Sequence, residues 1–190
     1  PKPLADFTVS PDTGCSPFVV VITNLAQGYD SLFWDFGDGS AIDTSTAAFG
    51  ITHVYVNTLD STVLYNLCLI AKTQYGCTDT FCKVIKVHPE IDADFTMLPD
   101  TNGVGCHPFV VSFLNLSLGE DFYSWDFGDG DSSTVQNPLH TYTNGSCTLD
   151  TNFYVTFIVT SPYGCSDIAY DTILVHPKPC ITTFTATSIG

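Results

Sequence analysis

Through the first forty residues apolar side chains cluster in short runs bounded by turn-forming residues. Ala5–Ser10 reads as a first strand and Phe18–Leu25 as a second, nearly continuous apolar one. Leu32–Phe36 is a third, with Leu32, Trp34 and Phe36 on one face. A turn at Gly37–Gly39 precedes a short returning strand at Thr52–Tyr55. Val63–Lys72 and Thr78–Val87 then form a hairpin across Gln74–Gly76. About seven short strands, turn signals every 8–12 residues or so and no helical period predict an all-β, Ig-like sandwich.

The pattern runs twice. "ADF" at Ala5–Phe7 returns at Ala93–Phe95, "GCSPFVV" at Gly14–Val20 returns as "GCHPFVV" at Gly105–Val111, and "WDFGDG" at Trp34–Gly39 returns unchanged at Trp125–Gly130. "YGC" at Tyr75–Cys77 matches Tyr163–Cys165, and "VHP" at Val87–Pro89 matches Val175–Pro177. A period of about 88 residues suits an independent small sandwich better than a solenoid repeat. The expected organisation is a first β-sandwich over 1–89, a second over 90–177, and a linker with the first strand of a third module over 178–190. "PKPCITTF" from Pro177 echoes the opening "PKPLADF", so we read a window from a longer tandem array.

Composition narrows the function. All acids except Glu90 and Glu120 are Asp, Arg is absent, and the formal net charge is −15. Such a field repels nucleic acid and anionic lipid. No apolar run approaches the roughly 20 residues of a membrane span, so no insertion is expected. Eight cysteines without a CxxC pair favour disulfides in an oxidising, extracytoplasmic setting over zinc or thioredoxin-like chemistry.

In the doubled WDFGDG stretch, Trp34 and Trp125 fall on the apolar strand face, where core indoles belong. Gly37, Gly39, Gly128 and Gly130 permit the positive φ of a tight turn. Asp38 and Asp129, between glycines, are placed to hydrogen-bond neighbouring amides, while Asp35 and Asp126 point away from the tryptophans and cap the same turn. A general acid–base pair needs a carboxyl with a raised pKa in a pocket. These sit at a hydrated turn, so the structural role is preferred.

The WDFGDG element, with Thr52-His53-Val54-Tyr55 and "NPLHTY" at Asn137–Tyr142, resembles the signature of the PKD (polycystic kidney disease) repeat family, over residues 1–177. The Gly-Cys pairs resemble the variant of Bacteroidetes cell-surface and gliding adhesins. The resemblance implies a β-sandwich, extracellular placement and a spacer or interaction role, without catalysis.

No cofactor is expected. Calcium is the one metal weighed, because the resemblance implies an Asp-rich stretch before the tryptophan in some PKD modules. Here those stretches offer only Asp30, and Glu120 with Asp121, short of the six to eight oxygens calcium takes. Glu90, Asp92 and Asp94 alternate along the junction, near Asp12 or Asp100, and are the weak metal candidates. His53, His88, His140 and His176 are assigned to packing or surface. No G-x-S-x-G elbow is present. Tyr29, Phe33 and Tyr123 are the aromatic candidates for stacking on a sugar. Ser31, Ser61 and Thr172 lie in triplets resembling the O-glycosylation sequon of Bacteroidetes secreted proteins.

Cys68 and Cys82 flank the hairpin symmetrically, and both are lost from the second copy, where Thr156 and Tyr170 stand. A Cys68–Cys82 cross-strand bridge is expected, and a Cys147–Cys180 bridge at one end of the second module. Joining the two Gly-Cys sites within a module is opposed by strand direction. Eight-residue strands separate those ends by roughly 25 Å, and a disulfide needs Cα atoms within about 7 Å. Cys15–Cys165 between modules is therefore expected, with Cys106 bonding a following module and Cys77 a preceding one. The rival is Cys15–Cys77 with Cys106–Cys165.

The expected function is a non-catalytic, disulfide-stiffened spacer in a long secreted or cell-surface adhesin or filament. Its partners would be neighbouring modules, copies of itself, or a surface glycan or protein. The alternative is a carbohydrate- or calcium-binding accessory module of a secreted hydrolase.

Overall fold

The computed structural model describes residues 2–44, 46, 50–118 and 122–179. The chain divides into two units, Pro1–Glu90 and Ile91–Gly190. Every regular element among the described residues is a strand.

Unit one holds β1 (Phe7–Ser10), β2 (Thr13–Cys15), β3 (Phe18–Asn24), β4 (Ser31–Asp35), β5 (Ile51–Tyr55), β6 (Val63–Lys72) and β7 (Thr78–His88). One sheet is ordered β1-β3-β5 and the other β2-β7-β6-β4. Alternation decides what is buried: Phe18, Val20 and Ile22 of β3 face in, while Val19 and Val21 face out. Trp34 is fully buried between the layers, and Phe7 meets both Trp34 and Phe81 edge-on at 5.4 Å.

The expected first strand, Ala5–Ser10, is in fact followed by a second short one on the opposite sheet. β1 pairs antiparallel with β3, and β2 pairs parallel with β7, Thr13 facing Lys86 and Cys15 facing His88. Pro11 has no amide hydrogen to continue the first ladder. The Asp12 carbonyl instead accepts from the Lys86 amide at 2.8 Å.

Unit two repeats the plan with β8 (Phe95–Leu98), β9 (Val104–Cys106), β10 (Phe109–Asn115), β11 (Phe122–Asp126), β12 (Ser132–Ser133), β13 (Leu139–Tyr142), β14 (Thr151–Thr160) and β15 (Ser166–His176). Its sheets are ordered β8-β10-β13 and β9-β15-β14-β11-β12. The strand switch is longer here and passes through Asn102 and Gly103, at φ 52° and 70°. A side chain at Gly103 would lie 2.4 Å from the Thr172 carbonyl oxygen, so glycine is required. Trp125 stacks on its register partner Phe157 at 3.7 Å, where Trp34 faces Leu69. The chain is therefore all-β, built of two Ig-like sandwiches. The strand expected beyond Lys178 and Cys180 lie outside the described residues.

Candidate functional site: the turn and its histidine

Each WDFGDG stretch leaves β4 or β11 and bends at once. The Gly37 amide donates to Asp35 Oδ1 at 2.9 Å, and the Gly128 amide to Asp126 Oδ1 at 2.9 Å. The Ser40 amide donates to Asp38 Oδ1 at 3.0 Å, and the Asp131 amide to Asp129 Oδ1 at 3.1 Å. Gly37 and Gly128 have φ of 74° and 80°, and an added Cβ at either would approach a backbone oxygen to 2.5 Å. The turn lies so close to β6 or β14 that only glycine fits.

The second carboxylate oxygen reaches a histidine. His53 Nε2 lies 2.6 Å from Asp38 Oδ2, and His140 Nε2 2.7 Å from Asp129 Oδ2. The imidazoles stack on Phe36 at 3.8 Å and on Phe127 at 4.1 Å, nearly parallel. Each also meets the next inward tyrosine, Tyr55 or Tyr142, edge-on at 4.7 Å. Burial raises the Asp38 carboxyl's pKa, but hydrogen bonds from Ser40 and His53 outweigh that and hold it below the ordinary carboxylate value. A carboxylate can only accept, so Nε2 of His53 carries the proton.

The lock extends along the strand at every second residue. Tyr55 Oη donates to the Phe36 carbonyl at 3.0 Å. Burial, then Asp38 and Asp35, push the Tyr55 phenol well above its usual range; burial, then Asp129 and Asp126, do so for Tyr142. Two residues further, buried Asn57 donates to the Ser61 and Val87 carbonyls, both at 2.9 Å, and accepts from the Leu59 amide at 2.9 Å. Asn144 does the same with Leu149, Val175 and Ser146. His53-x-Tyr55-x-Asn57 and His140-x-Tyr142-x-Asn144 are thus one device, fastening the turn at one end and the last strand at the other. Sequence reasoning left these histidines as packing and passed over the asparagines. The signal was there, as an H-x-Y-x-N spacing repeated in both copies.

The geometry speaks against nucleophilic chemistry. In a Ser-His-Asp triad the imidazole stands between hydroxyl and carboxylate. Here the Asp38 carboxylate stands in the middle, accepting from Ser40 Oγ and His53 Nε2, both at 2.6 Å. The imidazole has no contact with the hydroxyl through which to take its proton. In the second copy Asp131 replaces Ser40, so Asp129, Asp131 and His140 offer three ligand atoms within 4.8 Å of one another. Three donors, one pair already hydrogen-bonded, fall short of a calcium shell. Two shallow depressions lie elsewhere, one lined by residues such as Asp30, Leu32 and Phe33, the other by Phe95, Met97, Asp100 and Asp171.

Glu90, Asp92 and Asp94 are exposed, as are Asp12 and Asp100. Asp30 Oδ2 accepts from the Gln74 amide at 2.7 Å, so this carboxylate steadies the hairpin tip. Glu120 and Asp121 lie outside the described residues. Ser31, Ser61 and Thr172 are all exposed. The aromatics singled out for sugar stacking are misplaced: Tyr29, Phe33 and Tyr123 are half-buried, Tyr29 against the core. Among the described residues, the rings that face solvent are Phe122, Tyr154 and Tyr170 in the second unit and Tyr75 and Tyr163 at the two hairpin tips.

Cys68 and Cys82 face each other across β6 and β7 and are joined, with Cα atoms 4.1 Å apart. Cys15, Cys147 and Cys165 are each engaged in a disulfide. Cys77 and Cys106 are exposed free thiols, so the bonds expected from them to flanking modules are not made within this chain. The rival pairing fails on the same fact, since each of its bridges uses one of those two thiols.

A family model described as PKD domain matches residues 107–175. No curated protein matches the chain. Among solved structures, the PKD1 domain of Vibrio anguillarum Epp is 27% identical, covering 47% of this chain and 96% of its own, with a TM-score of 0.37. The PKD1 domain of the Vibrio cholerae metalloprotease PrtV is 29% identical over 45% and 96%, with a TM-score of 0.36. A structure described for carbohydrate-binding modules of the β-sandwich superfamily is 21% identical over 85% and 59%, with a TM-score of 0.41. No helix among the described residues is long and apolar enough to cross a membrane.

Proposed function

We propose that this chain is a non-catalytic spacer in a secreted or cell-surface adhesin or filament, built from two PKD-type modules. The observation that carries this reading is the use of the repeated acidic turn in both copies. Asp35, Asp38, Asp126 and Asp129 all hold backbone amides, and the histidines beside them are bound to two of those carboxylates. Side chains so engaged support a turn-defining role over a catalytic one. The bonded states of Cys15 and Cys165 support, in addition, the proposal that they staple the first module to the second.

Small-angle scattering of the oxidised chain tests the spacer role. The expected result is a rigid, elongated particle whose dimensions do not change with salt; a broad ensemble of bent conformers would defeat it. The accessory-module alternative predicts a hit on a glycan array or a calcium-dependent rise in melting temperature. The spacer reading expects neither, and either result would replace it.

A further inference from the structure

We propose that Cys77 and Cys106 are the two halves of an end-to-end disulfide that joins this chain head to tail to a second copy of itself. The proposal rests on the spacer reading and adds the mode of assembly.

The repeat supplies the argument. Cys77 and Cys165 occupy the same place, the last residue of a Tyr-Gly-Cys hairpin tip. Cys15 and Cys106 also share a place, at the end of the short strand that runs parallel to the last strand. The backbone frames match closely. Thr73 donates to the Cys77 carbonyl at 2.9 Å and Ser161 to that of Cys165 at 2.8 Å, and both preceding glycines have φ of 84°. Ser16 and His107, which follow the other two cysteines, each donate to the terminal histidine carbonyl at 3.1 Å. Yet Cys15 and Cys165 are disulfide-bonded, and Cys77 and Cys106 are not. Cys165 is buried, while its counterpart Cys77 is exposed. Two positions of one design are therefore bonded in one copy and bare in the other. What the bare thiols lack is a partner, because the surrounding backbone is the same in both copies.

That partner cannot come from the same module. Cys15 faces His88 at the end of β7, and Cys77 immediately precedes its start at Thr78. The strand between them spans roughly 33 Å at about 3.3 Å per residue, against the 7 Å or so a disulfide allows. Each module thus has two unlike ends, a hairpin-tip end and a Gly-Cys end. Joining unlike ends gives a heterologous contact, which propagates as a linear array unless a ring closes.

The bond forms by exchange with a small-molecule disulfide such as oxidised glutathione. The Cys77 thiolate attacks one sulfur, forming a mixed disulfide and releasing one small thiolate. The Cys106 thiolate of a second copy then attacks the Cys77 sulfur, completing the protein bridge and releasing the other. Two protein thiols are oxidised, one small disulfide is reduced to two thiols, and the cysteine protons end on the released thiolates.

The test uses the full chain with its native disulfides intact, in a glutathione redox buffer. We expect a ladder of dimers and higher species on non-reducing gels, with Cys77–Cys106 the dominant new linkage in peptide maps. Neither Cys77→Ser nor Cys106→Ser alone should progress beyond dimers. Mixed together they should give the cross-dimer above its statistical share over the two homodimers. Alkylating both thiols in the native wild-type chain should abolish the ladder without any substitution. Thiols that become only glutathionylated, or homodimers at the statistical ratio, would overturn the proposal. Scattering on the Cys77→Ser/Cys106→Ser monomer examines the spacer reading separately, so either idea can fail while the other stands.

Discussion

At the middle of its long hairpin the first module places Cys68 opposite Cys82, and at the same register the second places Thr156 opposite Tyr170. Inside, the first sets Trp34 beside Leu69, while the second stacks Trp125 on Phe157. Near the turn, Ser40 becomes Asp131. The backbone pairing of the long hairpin is unchanged by any of this. The first module bonds β6 to β7 covalently and the second stacks β11 on β14, while the turn, the histidine, the tyrosine and the asparagine stay the same. Shared residues set the fold, and the variable ones tune it. That distinction can be broken or sharpened by substitution, with hydrogen exchange of module-specific peptides separating the two responses.

The largest effect is expected at the glycines both modules share. Gly37→Ala and Gly128→Ala each combine positive φ with a backbone clash, so each should destabilise its own module by roughly 3–5 kcal/mol. At Gly39 an added Cβ meets nothing within 4 Å, although φ is 84°. Alanine there should cost only about 1–2 kcal/mol. Equal losses at Gly37 and Gly39 in denaturant titrations would show that the close approach to β6 is unimportant.

Next comes the bridge. Cys68→Ser with Cys82→Ser should lower the first module's stability by about 2–4 kcal/mol and leave the second untouched. Thr156→Cys with Tyr170→Cys should form the missing bridge in the second module, detectable as a mass loss of two hydrogens. Failure of that bond to form would mean that the two hairpins are not equivalent.

A smaller contrast lies in the tyrosines. Tyr55 donates a hydrogen bond, whereas the buried Tyr142 hydroxyl has no partner in this structure. Tyr55→Phe should cost about 1 kcal/mol, and Tyr142→Phe should be neutral or stabilising. The opposite order in thermal melts would refute this assignment.

Acid should act on the first module in two stages. His88 is held below the ordinary imidazole value by burial and then by Lys86. The unfolded chain therefore binds that proton first, and stability present above pH about 6.5 declines as pH falls through His88's lower folded value. Asp38 is likewise depressed, so its contribution persists to about pH 3.9 and is lost as pH drops further. Asp79, lowered by its hydrogen bonds from Lys2 and the Ala5 amide, titrates in the same stage, so Asp38→Asn should shrink the acid stage and leave the earlier one, as read from melting temperature against pH.

Much of this was legible beforehand, for physical reasons. β4 announces itself through alternation, β3 through a continuous apolar run and the β6–β7 hairpin through its glycine turn, and the two copies corroborate each other. The strand switch after Pro11 was not legible, because a three-residue strand carries too few positions to show a period. The Asp–His pairs were missed because they join a turn to a strand 15 residues away in one copy and 11 in the other. Only folding reveals which inward positions of β5 face that turn. The exposed aromatics were misjudged because one-residue alternation cannot say which face the other sheet covers.

The parallel pairing of β2 with β7, echoed by β9 with β15, has a consequence for a molecule under tension. A force pulling β2 and β7, or β9 and β15, from opposite ends draws neighbouring parallel strands in opposite directions along their lengths. Their hydrogen bonds are then strained together in shear, where an antiparallel hairpin pulled from its open end would peel one bond at a time. The short strand created by the break at Pro11 thereby becomes the catch that must slip before the sandwich can open.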